Sequence, residues 1–201
     1  MFWDKVSGLY DYFENVYNGK VYNELGLATA SFVSEGDSVL ECACGTGKIS
    51  YSLAQKCANL IATDFSDGML RQARKRCAKL QNVEFRSADI MHLEFADASF
   101  DSVVAGNVIH LLDDPQGAIR ELERVCKPCG KIIIPTYVNI ADNGKPNFVV
   151  RFLQKLGLDF KKHFSLDTYK QFFLSLGYEN VEYKLVEGKM PCAIAVMRKS
   201  A

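Results

Sequence analysis

The sequence predicts an α/β fold in which a mostly parallel sheet is covered by helices on both faces. Three observations carry this expectation. Between residues 38 and 136, short β-rich runs alternate with helix-length stretches, which implies right-handed βαβ crossovers. Residues 39–50, VLECACGTGKIS, read as a short apolar strand, an acid, a glycine turn and the start of a helix. Two further strand-like runs, 178–186 and 192–198, are joined through Glu187-Gly188-Lys189, which is too short for a parallel crossover and so requires an antiparallel pair.

Taken in order, residues 1–35 read as helical. Leu9, Tyr12, Phe13, Val16 and Tyr17 fall at helix spacing, and a second amphipathic stretch covers 21–33. The aromatics here either cover one edge of the core or close over a ligand. Strands are expected at 38–42, 60–64, 83–87, 100–105 and 131–136, with helices at 47–56, 67–80 and 116–126 between them. The alternation stops at Thr136. A mixed region, 137–165, is expected to act as a substrate lid, and a helix at 166–176 leads into the final pair of strands.

At 201 residues and 48% hydrophobic content, the chain is long enough for one well-buried core, so a single domain over 1–201 is expected, with 1–35 as a helical cap. Lysine and arginine (24) balance aspartate and glutamate (24), so no net field draws the protein to nucleic acid or to an anionic membrane. A small, weakly charged partner fits better. No run approaches 18 apolar residues and the N-terminal residues carry scattered charges, so a soluble cytoplasmic protein without membrane insertion is expected. Seven cysteines, an odd number, point to reduced thiols that serve as small buried hydrophobes. Cys126-Lys-Pro-Cys129 has the spacing of a redox or zinc knuckle, but a second such pair is missing, and no metal is expected.

In an open α/β sheet, ligands bind at the carboxyl ends of the strands, near the switch in strand order. Those ends are polar here. Gly45 and Gly47 free the backbone for positive φ and let a ligand lie against the main chain, beside the exposed N–H groups of the following helix. The first strand ends at Glu41 and the second at Asp64, seventeen residues beyond Gly47, where a carboxylate can accept from two ribose hydroxyls. The third runs into Ala88-Asp89, placed to accept from an adenine amine, and the fourth into Asn107 and His110. Together these residues describe an adenosine site. The glycine spacing separates the cofactors: dinucleotide folds use G-x-G-x-x-G, and here the third glycine would fall on Ser50.

The pattern resembles class I S-adenosylmethionine-dependent methyltransferases, whose first motif is an acid followed by G-x-G-x-G. LECACGTG looks like that motif, IATDFSDGMLRQAR the second, SADIMHLEFADASFDSVV the third and fourth, and CKPCGKIIIP the fifth. Over about residues 38–135, the chain most resembles the small methyltransferases of ubiquinone and menaquinone biosynthesis, and WDKVSGLYD is similar to their N-terminus. The resemblance implies a three-layer, Rossmann-like sandwich with seven strands and an antiparallel last strand. It implies S-adenosylmethionine as cofactor. Glu41, Gly45 and Gly47 would flank its methionine end, Asp64 would hold the ribose, and Ala43, Phe65 and Met69 would belong to the same cofactor site. Ala88, Asp89 and Ile90 would meet the adenine, Asn107 would lie near the methionyl group, and Tyr10 would close the pocket. There are two departures: the family's first glycine is Ala43, and its leucine-lysine-proline-glycine-glycine turn is Cys126-Lys-Pro-Cys129-Gly130.

The expected reaction is methyl transfer to a small-molecule acceptor. Asn107-Val108-Ile109-His110 lacks the Asp/Asn-Pro-Pro-aromatic motif of enzymes that methylate base amines. The branch resemblance suggests a ring carbon of a quinone precursor. His110 is either a general base or a structural histidine. Two rivals stand beside this reading: a non-catalytic cofactor-binding protein, and a nicotinamide-dependent oxidoreductase on a similar sheet. Thiol chemistry would require Cys42 and Cys44 to face the site.

Overall fold

A computed structural model describes residues 2–138, 141–142, 145–146 and 161–200. Most of the expected lid, 137–165, therefore lies outside the described residues. Seven strands form one sheet in the order β3-β2-β1-β4-β5-β9-β8. These are β1 (Ser38–Cys42), β2 (Asn59–Asp64), β3 (Val83–Ser87), β4 (Phe100–Ala105), β5 (Cys126–Tyr137), β8 (Glu182–Val186) and β9 (Cys192–Arg198). The first five run parallel, and β9 is antiparallel to both β5 and β8, as expected for the last strand. Two-residue strands β6 (Ala141–Asp142) and β7 (Lys145–Pro146) pair separately.

Alternation along the strands sends side chains to two apolar layers. Along β5, Ile133 enters one and Ile132 and Ile134 the other; along β9, Ile194 and Val196 enter the first, Ala195 and Met197 the second. The first layer is closed by α1 (Phe2–Ala30), α2 (Lys48–Ala54) and α3 (Asp67–Arg76), through Leu25, Leu53 and Leu70. The second is closed by α4 (Pro115–Val125) and a helix numbered α5 (Leu166–Ser175), through Leu122 and Phe173. The outcome is the three-layer sandwich. The starts of α3, α4 and α5 follow side-chain caps: Ser66 accepts from Met69 N, Asp114 from Gly117 N, and Ser165 forms a capping box with Thr168.

Several boundaries differ from the expected ones: β8 begins at Glu182 rather than at residue 178, α2 ends at Ala54 rather than at residue 56, and two others have a local cause. Helix α3 ends at Arg76 rather than at residue 80, because the chain turns there, with Leu80 N donating to Cys77 O, and Leu80 folds back onto the first layer. Strand β5 begins at Cys126, which pairs with Phe100 before the register jumps to Ser102 and Lys131. Cys126-Lys-Pro-Cys129-Gly130 is thus a bulge inside a strand rather than a turn before one. Cys129 sits at φ 60, and a Cβ on Gly130 would lie 2.8 Å from Asp101 O.

Helix α1 bends at Asn18 (φ −127, ψ 36), between the two amphipathic stretches read from the sequence. Asn18 is 2% exposed; its Nδ2 donates to Met190 O at 2.8 Å and its Oδ1 accepts from Met190 N at 3.1 Å. The bend is therefore seated on the link between β8 and β9. Gly188 in that link is so close that a Cβ would lie 2.5 Å from Val21 Cγ2. Among the described residues, no helix is long and apolar enough to cross a membrane.

Candidate functional site

The strand order reverses between β1 and β4, and a cavity of about 230 Å³ opens at their carboxyl ends. Its floor comes from the ends of β1, β2 and β4, and α1 supplies a wall through Trp3, Tyr22 and Leu25. Of the residues expected at a cofactor, Glu41, Ala43, Gly45, Asp64, Phe65, Met69 and Asn107 line it.

The glycine turn follows from backbone demands. Ala43, Gly45 and Gly47 all have positive φ, at 54, 55 and 78°. A Cβ on Gly47 would lie 2.9 Å from Ala73 Cα, so this glycine is set by its φ and by the approach of α3. It packs behind the cavity instead of lining it. A Cβ on Gly45 would meet nothing within 4 Å, so that glycine leaves the floor open. Ala43 takes the same left-handed conformation with a methyl group, at a cost of roughly 1–2 kcal/mol.

Two acids hold different places in this floor. Asp64 Oδ2 accepts from Gly45 N at 2.8 Å and Oδ1 from Ser66 N at 2.9 Å, so it ties the first turn to the second. Burial raises its pKa, against the lowering effect of those backbone bonds. A carboxylate has about four acceptor positions, so these backbone bonds do not exhaust it. Glu41 is 1% exposed and its Oε2 has no hydrogen-bond partner. Burial pushes its pKa up to about 8; the neighbouring Ser50 hydroxyl works against the rise without bonding Oε2, and the charge of Asp64 adds to it. Asn107 ends β4 at φ 51, with its N–H donating to Pro135 O at 2.8 Å and its Oδ1 accepting from Cys192 Sγ at 3.8 Å. A non-glycine residue held in that region is the sort of strain that gathers at functional sites.

Other expected residues are not brought to the cavity lining. Asp89 is exposed and its Oδ1 accepts from Met91 N at 2.9 Å. Ala88 is next to Asp64, whose carbonyl accepts from Ala88 N at 3.3 Å, and Ile90 is buried in the second layer. Tyr10 lies on α1, but its side chain is outside the described residues. His110, in the 3-10 turn Ile109–Leu111, is 3% exposed and does not line the cavity. Burial first, and the charge of His163 second, push its pKa down to about 3. The expected base is a neutral, weakly basic ring in the core.

Cys44 lines the cavity and Cys42 does not. Burial raises the Cys44 thiol pKa well above its usual value and that of Cys42 to about 12, so neither is a ready thiolate. Trp3, Tyr22, Lys48 and Tyr137 line the cavity without having been singled out from the sequence. For Trp3 and Tyr22, the aromatic richness of residues 1–35 was the available signal. Among the described residues, no cluster of three metal-ligating side chains occurs.

Residues 40–134 match a family of methyltransferase domains. Over these residues, just under half of the chain, it is similar to methyltransferase domains. The demethylmenaquinone methyltransferase of Clavibacter sepedonicus is 38% identical over 136 residues, 65% of this chain and 54% of that protein. That of Corynebacterium urealyticum is 39% identical over 105 residues, 52% of this chain and 44% of that one. The chain thus spans about half the length of the curated relatives it matches. The methyltransferase fold recurs across almost all of a Thermotoga maritima S-adenosylmethionine-dependent methyltransferase, with TM-score 0.77, 18% identity and coverage of 99% and 98% of the two chains. The N-methyltransferase NodS of Bradyrhizobium japonicum, in complex with S-adenosylhomocysteine, has TM-score 0.66 and 18% identity, over 90% of this chain and 86% of that one.

Proposed function

We propose that this protein transfers the methyl group of S-adenosylmethionine to a small-molecule acceptor. The observation that carries the reading is the unpartnered oxygen of Glu41, buried at the floor of the cavity next to an open glycine turn. A buried carboxyl oxygen without a partner asks for one, and an amino-acid ammonium would supply a donor together with the charge that favours the ionised form. Asp64, with lone pairs to spare, would take the two ribose hydroxyls, flanked by Phe65 and Met69. Asp89, Ala88 and Ile90, on the loop after β3, would meet the adenine, and Tyr10 would close over the cofactor from α1.

The cofactor's sulfonium supplies an activated methyl group for in-line displacement. The protein's own part is to align the acceptor and exclude water. Trp3, Tyr22, Tyr137 and Leu112 give the rest of the cavity an apolar, flat-sided lining, which supports an aromatic acceptor. Ring-carbon methylation of a quinone precursor is the finer reading; it draws on the demethylmenaquinone methyltransferases named above. No proton transfer is assigned to His110.

Calorimetric titration with S-adenosylmethionine, S-adenosylhomocysteine and NAD tests the cofactor, followed by a labelled-methyl screen of quinols, phenols, amines and thiols. Binding of the first two and label transfer to one acceptor class is expected. Binding of NAD alone, or of nothing, overturns the reading. Cofactor binding with no transfer to any class would make this a binding protein.

A further inference from the structure

One carboxylate joins the floor of the cavity to its wall. Asp11, on α1, accepts a hydrogen bond from Thr46 Oγ1 and another from Arg76 Nη2. Thr46 stands between Gly45 and Gly47 and lines the cavity. Arg76 is the last residue of α3; its Nη2 also donates to the Tyr22 hydroxyl at 3.0 Å, and its Nη1 is buried with no hydrogen-bond partner. Asp11 is thus the anion on which this guanidinium depends. Nearer the helix start, Asp4 accepts from Ser66 Oγ at 2.7 Å and Gly68 N at 2.9 Å, immediately past Asp64 and Phe65. Helix α1 therefore grips both loops of the floor while carrying Trp3 and Tyr22 into the cavity.

We propose that Asp11 is a positioning residue for the glycine turn: by holding Thr46 it keeps the turn in the shape that receives the cofactor, and it couples the docking of α1 to cofactor binding. This rests on the methyltransferase reading. The reason lies in the turn itself. Glycines sample positive and negative φ about equally, so a turn that needs positive φ at Ala43, Gly45 and Gly47 is poorly specified by its own chain. A charged acceptor on Thr46 selects one shape from outside. If the receptive shape is occupied for only a fraction of the time, the apparent Kd rises by the inverse of that fraction. The coupling is reciprocal, so bound cofactor must hold α1 down by the same factor.

The test is calorimetric titration of S-adenosylhomocysteine into the native protein, Asp11→Asn, Thr46→Val, the double variant and Thr46→Ser, with amide hydrogen exchange over residues 2–30. Each of the first two single variants is expected to weaken binding about tenfold, equivalent to about 1.4 kcal/mol. The double variant should lose no more than the weaker-binding single one, and Thr46→Ser should restore native affinity. S-adenosylhomocysteine should slow exchange in the native α1, and less so in Asp11→Asn. Single variants within about twofold of native, or losses that add in the double variant, would overturn the proposal. If Asp11→Asn does not fold, Thr46→Val against Thr46→Ser decides, together with the native exchange experiment. Failure of the native protein to bind S-adenosylhomocysteine would overturn the methyltransferase reading and this proposal with it, an outcome distinct from native binding with indifferent variants.

Discussion

Glu41, Gly45 and Asp64 reach the cavity from the ends of strands paired on both sides, whereas Trp3 and Tyr22 reach it from one bent helix gripped at Asp4 and Asp11. The floor is specified by main-chain needs: positive φ, open space over Gly45 and a carboxylate that ties two turns together. The wall is specified by side-chain shape. The difference teaches that the two halves of the cavity rest on different physics, main-chain geometry in one and side-chain shape in the other, and with the cofactor proposed on the floor and the acceptor at the wall, each half should fail in its own way when altered.

The largest expected effect lies in the floor. Asp64→Ala should cost S-adenosylhomocysteine binding about 10²-fold or more, because two hydrogen bonds to a charged group are worth roughly 3–6 kcal/mol. Calorimetry reads this directly, and unchanged affinity would remove Asp64 from the ribose. Glu41 gives a pH signature. Its carboxyl rises from 4.5 to about 8 on folding, so the folded protein keeps a proton that the unfolded chain has lost. The sign follows: stability of the ligand-free protein should fall as pH climbs from about 4.5 to about 8 and level off above. A bound ammonium favours the charged form, so affinity should tighten as pH rises from 6 to 8. Glu41→Gln should flatten both curves, and a slope that persists in the variant would assign the proton elsewhere.

The wall should show a split. Trp3→Ala is expected to change cofactor affinity less than about threefold while lowering kcat/KM for the acceptor about tenfold. Equal losses in both would erase the distinction drawn here. A smaller effect is expected for His110→Phe, with turnover within about threefold and no displaced limb in the pH–rate profile, since general base catalysis contributes about 10²-fold or more where it operates. The smallest change is also a gain. Ala43→Gly should raise stability by about 1 kcal/mol, seen as a few degrees in Tm, by relieving a methyl held at positive φ.

The same division explains what could be read from the chain. Strands β1, β3, β4 and β9 fall on the expected residues because their β-rich runs have sharp ends. The floor acids were visible because strand ends are fixed points in such a sheet. The bulge at Cys126–Gly130 was not, since a strand that leaves the ladder and rejoins it looks like a turn in one dimension. Which of the two readings of His110 holds was not legible for a similar reason: its position after β4 is as expected, yet the direction of a side chain within a single 3-10 turn depends on packing that no periodicity reports. Trp3 and Tyr22 belong to a helix whose aromatics are equally suited to a core, and spacing alone does not say that these two, one on each side of the bend at Asn18, face the cavity.

That bend has a consequence for the order of assembly. Asn18 and Met190 are separated by 172 positions, and Asn18 reaches its partner only after the link between β8 and β9 has been made. At the usual pace of synthesis, roughly 5–20 residues per second, the asparagine waits about 10 to 30 seconds for it. The nascent chain can lay down the strands that carry the floor one after another, while the two hydrogen bonds that seat the bend of α1 on the link between β8 and β9 come late, so the far half of the helix is fastened only when the last strands are in place.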